Sequence, residues 1–408
     1  MFKTTHIDLV PNFEADDIKI IKRIFWGNTQ EGRYAREWCE HELQKYAPGH
    51  YFFFTSAREA LHAFLKFYLA QGTRKKVLTQ GFSCLVVPNS IKWAGGTPVF
   101  VDVEKNDINM SAIDLEKKAD AECGVLLVQN TFGIPADYDA LLSVAKKKNL
   151  FVIENLAHAL GARYDNKYLG QFGDAALLSF GRAKVISSLA GGALVIKNKK
   201  LADAFAQQYA MLRSPSFFWK KRVVCYFLAV QSARQHFDTW GKILMHLMQK
   251  TGFMFLEIEP CERKGIIPKR FGKKMPGEFF LLLQNQLKKL DRMNNHRREI
   301  AHFYRQAGLL PAARIDKKSD PIFLRYPLYG THPHTMLALL KTHAVYGGNW
   351  YVSALAPAEK RLDIFGYYYG ACPHAEKQAM GSYNLPTAIG VLQKDASYIA
   401  ELIINAYL

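Results

Sequence analysis

Between Tyr51 and Lys197, short apolar runs rich in β-branched and aromatic residues alternate with longer stretches of helical periodicity. FFFT (52–55) precedes AREALHAFLKFYLA, and KVLTQ (76–80) precedes LVVPNSIKWAG. PVFVDV (98–103), GVLLVQ (124–129), LFVIEN (150–155), AALLSF (175–180) and GALVIK (192–197) then follow in turn. Strands alternating with helices mark βαβ units, and runs without a polar face suit a mostly parallel sheet covered on both sides. The pattern predicts a large α/β domain over residues 1–212. The rhythm then stops: residues 213–276 read as an insert, mostly helical. EFFLLLQNQLKKLDRMNNHRREIAHFYRQAG (278–308) reads as one amphipathic helix bounded by Gly277 and Gly308, opening a smaller α+β C-terminal domain over residues 277–408.

With 408 residues, 49% of them hydrophobic and 22% charged, the chain can bury a large core and is no disordered polyelectrolyte. Its net charge of +18 favours anionic partners. The insert concentrates that charge: residues 213–274 hold thirteen Lys and Arg against four Asp and Glu, a net +9. Six cysteines lie far apart with no C-x-x-C pair, which argues against a zinc ribbon and for free thiols; no metal is expected. The N-terminal stretch turns acidic before any apolar run of signal-peptide length, and no stretch reaches the ~18 apolar residues of a membrane span, so the chain is expected in the cytoplasm.

Three strand ends could carry chemistry, because free backbone amides and helix N-termini converge at the C-terminal edge of an α/β sheet. Thr55-Ser56-Ala57-Arg58 opens a helix and suits either a phosphate or an ordinary N-cap. Glu154-Asn155-Leu156-Ala157-His158 ends the VIEN strand. Ser179-Phe180-Gly181-Arg182-Ala183-Lys184 places a lysine in a turn before Gly191-Gly192, as either a solvated charge or an amine for Schiff-base chemistry.

Taken together, TSAREAL (55–61), QGFSCLVVPNSIKWAGGTPVFVDV (80–103), QNTFGIPADYDAL (129–141), VIENLAHALGARYDNKYLGQFGDAALLSFGRAK (152–184) and ACPHAEKQAMGSYNLPT (371–387) resemble the DegT/DnrJ/EryC1/StrS sugar aminotransferases. The resemblance implies a three-layer, fold-type-I architecture, pyridoxal 5'-phosphate as cofactor, a nucleotide-linked keto-sugar substrate with glutamate as amino donor, and a homodimer. It implies that Lys184 holds the cofactor covalently and shuttles the substrate proton. Ser56, Ala57, Arg58 and Ser179 would cradle its phosphate, Phe82 would stack on its ring, and His158 would sit near the ring hydroxyl. Asn155 occupies the slot where that family carries an aspartate to keep the ring nitrogen protonated, which implies a weaker electron sink. A cofactor-binding paralogue without transamination, with a regulatory or membrane-scaffolding role, is therefore the alternative.

Two further expectations concern the periphery. The insert's FFWKKRVVCYFLAV (217–230) and TWGKILMHLMQKTGFMF mix aromatics, aliphatics and lysines, a pattern that suits a lid or dimer-interface helix and also a hairpin lying on an anionic membrane face. No nucleic-acid-binding module accompanies the charge. The loop Gly348-Asn349-Trp350-Tyr351 is a candidate for substrate contact or for core packing.

Overall fold

The computed structural model describes residues 5–6, 12–27, 29–235, 237–251, 253–358 and 360–407. Its centre is a seven-stranded sheet of β1 (His50–Phe54), β2 (Lys76–Gln80), β3 (Thr97–Val101), β4 (Cys123–Gln129), β5 (Phe151–Asn155), β6 (Ala175–Ser179) and β7 (Gly192–Ile196). The spatial order is β1-β7-β6-β5-β4-β2-β3, with only β7 antiparallel to its neighbours. All seven strands fall where the apolar runs place them. Helices cover both faces, so the strands are buried from both sides: every residue of β4 and β7 is buried.

One face of the sheet carries a helix of particular weight, α3 (Ala57–Ala70), which begins immediately after β1. Ser56 caps it, its hydroxyl accepting the Glu59 N–H at 3.3 Å. The other face is covered by α1 (Ala15–Trp26), α2 (Thr29–Leu43) and, from the insert, α4 (Phe217–Gln235). Val223, Val224, Tyr226, Phe227 and Val230 of α4 are buried in the same core as Ile21 and Ile24 of α1. Most of the apolar surface of α4 is thus used against the protein itself. A π-helical turn, Phe237–Gly241, leads into α5 (Lys242–Lys250), where Ile243 and Leu247 remain exposed, as do Phe217 and Phe218 at the start of α4. No described helix is long and apolar enough to cross a membrane.

The stretch 278–308 is two helices rather than the expected one: α6 (Phe279–Leu287) and α7 (Leu290–Gln306). The break has an electrostatic anchor, since Lys289 Nζ lies 3.2, 2.6 and 3.0 Å from carboxylate oxygens of Glu14, Asp16 and Asp17 at the start of α1. Before it, α6 packs on α2 and α1; after it, α7 turns towards α8 (Gln393–Tyr407). The C-terminal region adds a two-stranded antiparallel ladder, β8 (Tyr326–Tyr329) with β9 (Ser382–Leu385), and its core is separate from that beneath the sheet. The six cysteines are all free thiols.

Candidate active site

Parallel strands end on one edge of the sheet, and a cavity of about 610 Å³ opens there. Period-two alternation decides which side chains reach it. At the end of β5, Glu154 points away from the cavity and accepts the backbone N–H groups of Gly170, Phe172 and Gly173 at 2.7, 2.8 and 2.6 Å. Its neighbour Asn155 faces the cavity. On the adjacent strand, Leu177 and Ser179 share the same parity and the same wall.

Ser56, Ala57 and Arg58 line the cavity from the first turn of α3, where the leading N–H groups have no partner within the helix and the helix dipole is positive. The close approach that brings them there depends on Gly192: a Cβ at that position would stand 2.2 Å from the Ala57 nitrogen. Amides at a helix N-terminus beside the Ser179 hydroxyl are a donor set for a phosphate.

Lys184 enters from the turn after β6, its Nζ 3.1 Å from His158 Nε2. The Phe132 N–H points at His158 Nδ1 across 3.4 Å, so the neutral imidazole carries its hydrogen on Nε2, facing the lysine nitrogen. Burial holds His158 well below the ordinary histidine range; the charge of Arg325, and any on Lys184, push the same way. The ring stacks on Phe132 at 5.8 Å, and Phe132 stacks on Tyr351 at 5.5 Å. Phe132 holds a left-handed backbone, φ 54°, within the turn that presents it.

Burial of a neutral His158 makes the stability of the fold depend on pH. Below the ordinary value of about 6.5 an unfolded chain protonates His158 while the folded one does not, so stability falls as pH drops towards the folded value, by about 1.4 kcal/mol per pH unit. His158→Gln removes that contribution. Urea unfolding midpoints at pH 6.5 and 5.5 should show the wild type losing roughly 1 kcal/mol more than the variant. Parallel losses would contradict a buried neutral imidazole.

Two expected roles change. Phe82 does not face the cavity. Ser83 and Leu85 donate backbone hydrogen bonds to Ala354 and Ala356, both at 2.9 Å, and this ladder turns the Phe82 ring into the C-terminal core, edge-on to Tyr351 at 5.0 Å. Cys84 lines the cavity instead, its thiol pushed up by burial. Arg58 lines the cavity, but its guanidinium is engaged by the insert: Nε lies 2.9 Å from the buried Glu262 carboxylate, and Nη1 donates to the Glu257 carbonyl.

The insert also furnishes wall that no sequence motif announces. Residues 255–259 line the cavity, and Glu257 accepts the Arg182 N–H at 2.5 Å. Arg325, Trp350 and Tyr351 close it from the C-terminal region, with the Arg325 guanidinium 5.7 Å from the Trp350 ring centre. Gly348 and Asn349 are not part of the lining. Among the described residues, Glu14, Asp16 and Asp17 are the only acidic, histidine or cysteine cluster close enough to hold a metal, and they pair with Lys289 away from this cavity.

A lysine turn, a phosphate-type helix start and an amide-bearing strand end on a mostly parallel seven-stranded sheet define the fold-type-I class of pyridoxal-phosphate transferases. Residues 14–224 and 273–404 match the DegT/DnrJ/EryC1/StrS aminotransferase family, and the chain belongs to it. That family consists of pyridoxal-phosphate-dependent sugar aminotransferases. Residues 225–272, most of the insert, fall outside the match. The chain is 25% identical over 360 residues to GDP-perosamine synthase of Escherichia coli O157:H7, covering 85% of this chain and 83% of that one. It is 28% identical over 302 residues to the UDP-4-amino-4,6-dideoxy-N-acetyl-beta-L-altrosamine transaminase of Campylobacter jejuni, covering 72% and 67% of the two chains. Among solved structures it is similar to PseC of Helicobacter pylori, an aminotransferase of pseudoaminic acid biosynthesis, with TM-score 0.72, 18% identity and coverage of 100% and 98%. Spr1654 of Streptococcus pneumoniae, in its PMP form, aligns with TM-score 0.73 at 17% identity over 98% of each chain.

Proposed function

We propose that this chain transfers an amino group from glutamate to a nucleotide-linked keto-sugar, in a pathway that builds amino sugars for polysaccharides. The observation that carries this reading is the convergence of Lys184, His158, Asn155, Ser179 and the start of α3 on one cavity. That set fits pyridoxal phosphate: an amine for its aldehyde, an amide for its ring nitrogen, and backbone N–H groups with a hydroxyl for its phosphate. When bound, the cofactor supplies an aldehyde carbon and an electron-withdrawing ring.

The chain's own groups divide the remaining work. Lys184 Nζ, opposite the Nε2–H of His158, offers a lone pair for the covalent link and, once released, takes the proton from the donor's α-carbon and returns it. Asn155 would hold the ring nitrogen through its side-chain amide, while its Oδ1 accepts the Ala157 N–H at 3.1 Å. The buried guanidinium of Arg325 suits the carboxylate of glutamate. Trp350 and Tyr351, which line the cavity, would help to exclude water from it. We further propose a homodimer acting in the cytoplasm, a reducing compartment that suits six free thiols.

Asn155 favours one alternative, a cofactor-binding protein that does not transaminate. The visible spectrum separates the two. Protein supplied with pyridoxal phosphate should show an absorption band that borohydride fixes onto Lys184 and that glutamate bleaches. A band indifferent to every amino donor favours the alternative, and no band at all refutes both.

A further inference from the structure

The turn that carries Lys184 is held from behind by a buried polar network. The Asn12 side-chain amide donates to the carbonyls of Lys184 and Val185 at 2.7 and 3.1 Å. Arg297 Nη2 donates to the same Val185 carbonyl at 2.7 Å and to Asn12 Oδ1 at 2.9 Å, while its Nη1 donates to Asn294 Oδ1 at 2.7 Å. Gln286 joins from α6, accepting the Ser187 N–H at 3.4 Å and donating to the Asn12 carbonyl at 3.3 Å. Asn12, Gln286, Asn294 and Arg297 are all buried, and none of the four lines the cavity.

Burying a guanidinium is costly unless an anion compensates it, yet the oxygens that accept from Arg297 here are all neutral. An apolar side chain would fill the same space without that cost. It could not fix two carbonyls at the point where the chain delivers Lys184 to the cavity. The break between α6 and α7 lets Gln286 and Arg297 approach one turn from two helices, and the ion pairs of Lys289 with Glu14, Asp16 and Asp17 pin the chain just after Asn12. We propose that Arg297 and Asn12 are positioning residues for Lys184, their clamp on the Lys184 and Val185 carbonyls aiming its amine at the cofactor end of the cavity. The inference rests on the reading of Lys184 as the covalent anchor. Its amine stands at the end of a long flexible stem, so a small tilt of the turn displaces it, and a displacement of about 1 Å can cost about a hundredfold in rate.

The test uses Asn12→Asp and Arg297→Lys in the full chain. Asn12→Asp gives the guanidinium a carboxylate and removes the donor to the two carbonyls, so the urea midpoint should hold while the clamp is lost. Arg297→Lys keeps the charge but lacks the planar fork that spans Val185 and the two asparagine oxygens. The readout is the rate at which the visible band develops across a range of pyridoxal phosphate concentrations, with fixation on Lys184 by borohydride. The maximal rate should fall about a hundredfold in Asn12→Asp and about tenfold in Arg297→Lys. The half-saturating concentration should stay unchanged, because Ser179 and the start of α3 are untouched; a merely structural network would move both quantities or neither. A wild-type maximal rate in Asn12→Asp would overturn the proposal, as would losses in both variants that only follow their unfolding in urea. A wild type that develops no band would refute the reading of Lys184 itself, and the clamp with it.

Discussion

Replacing Lys184 by alanine should reduce transamination by at least roughly 10⁴-fold, because the variant loses both the covalent tether and the group that moves the α-proton. The rest of the site stays in place. Ser179 and the amides of α3 do not depend on the lysine side chain, so the variant should still take up pyridoxal phosphate without fixing it. Intact-mass measurement after borohydride checks this: one added cofactor on the wild type and none on the variant. A label that persists in Lys184→Ala would place the covalent link on another lysine. His158 would then face a nitrogen with no part in the chemistry.

Asn155→Asp should act in the opposite direction. A carboxylate beside the ring nitrogen would raise the basicity of that nitrogen by one to three pH units, and each unit is a factor of ten in protonation. The new side chain would keep the Ala157 N–H as donor, which steadies its charge. Turnover with glutamate should rise about ten- to a hundredfold in steady-state assays, with little change in KM. Equal rates in the two proteins would show that electron withdrawal by the ring does not limit turnover. No activity in either would favour the non-transaminating alternative.

The seven sheet strands were legible because each is an apolar run flanked by turn residues, and burial on both faces demands that pattern. Lys184, Asn155, His158 and Ser179 stand at or just after strand ends, where backbone polarity converges, but that placement left each with an ordinary reading; only the family resemblance made them one set, and they do line one cavity. Phe82 was misplaced because its orientation depends on a ladder with residues 354–356, some 270 positions away, which no local periodicity encodes. The break in 278–308 has the same origin: Lys288 and Lys289 read as ordinary helix, and only Glu14, Asp16 and Asp17 explain the break. Glu257 and Glu262 carried no signal, being two acids in a basic segment whose neighbours appear only in three dimensions.

The Arg58–Glu262 contact constrains how such a chain can be divided. Glu262 is fully buried, and its carbonyl also accepts the Asn89 side-chain N–H at 2.8 Å, so the insert is stitched to the helix that starts at the cofactor end. Excising residues 225–272 to recover a minimal enzyme would strand a largely buried guanidinium without its carboxylate, at a cost on the order of 3 kcal/mol. The segment is therefore not a detachable cassette. Transplanting it into a shorter relative would require an arginine at the position of Arg58 to be carried with it.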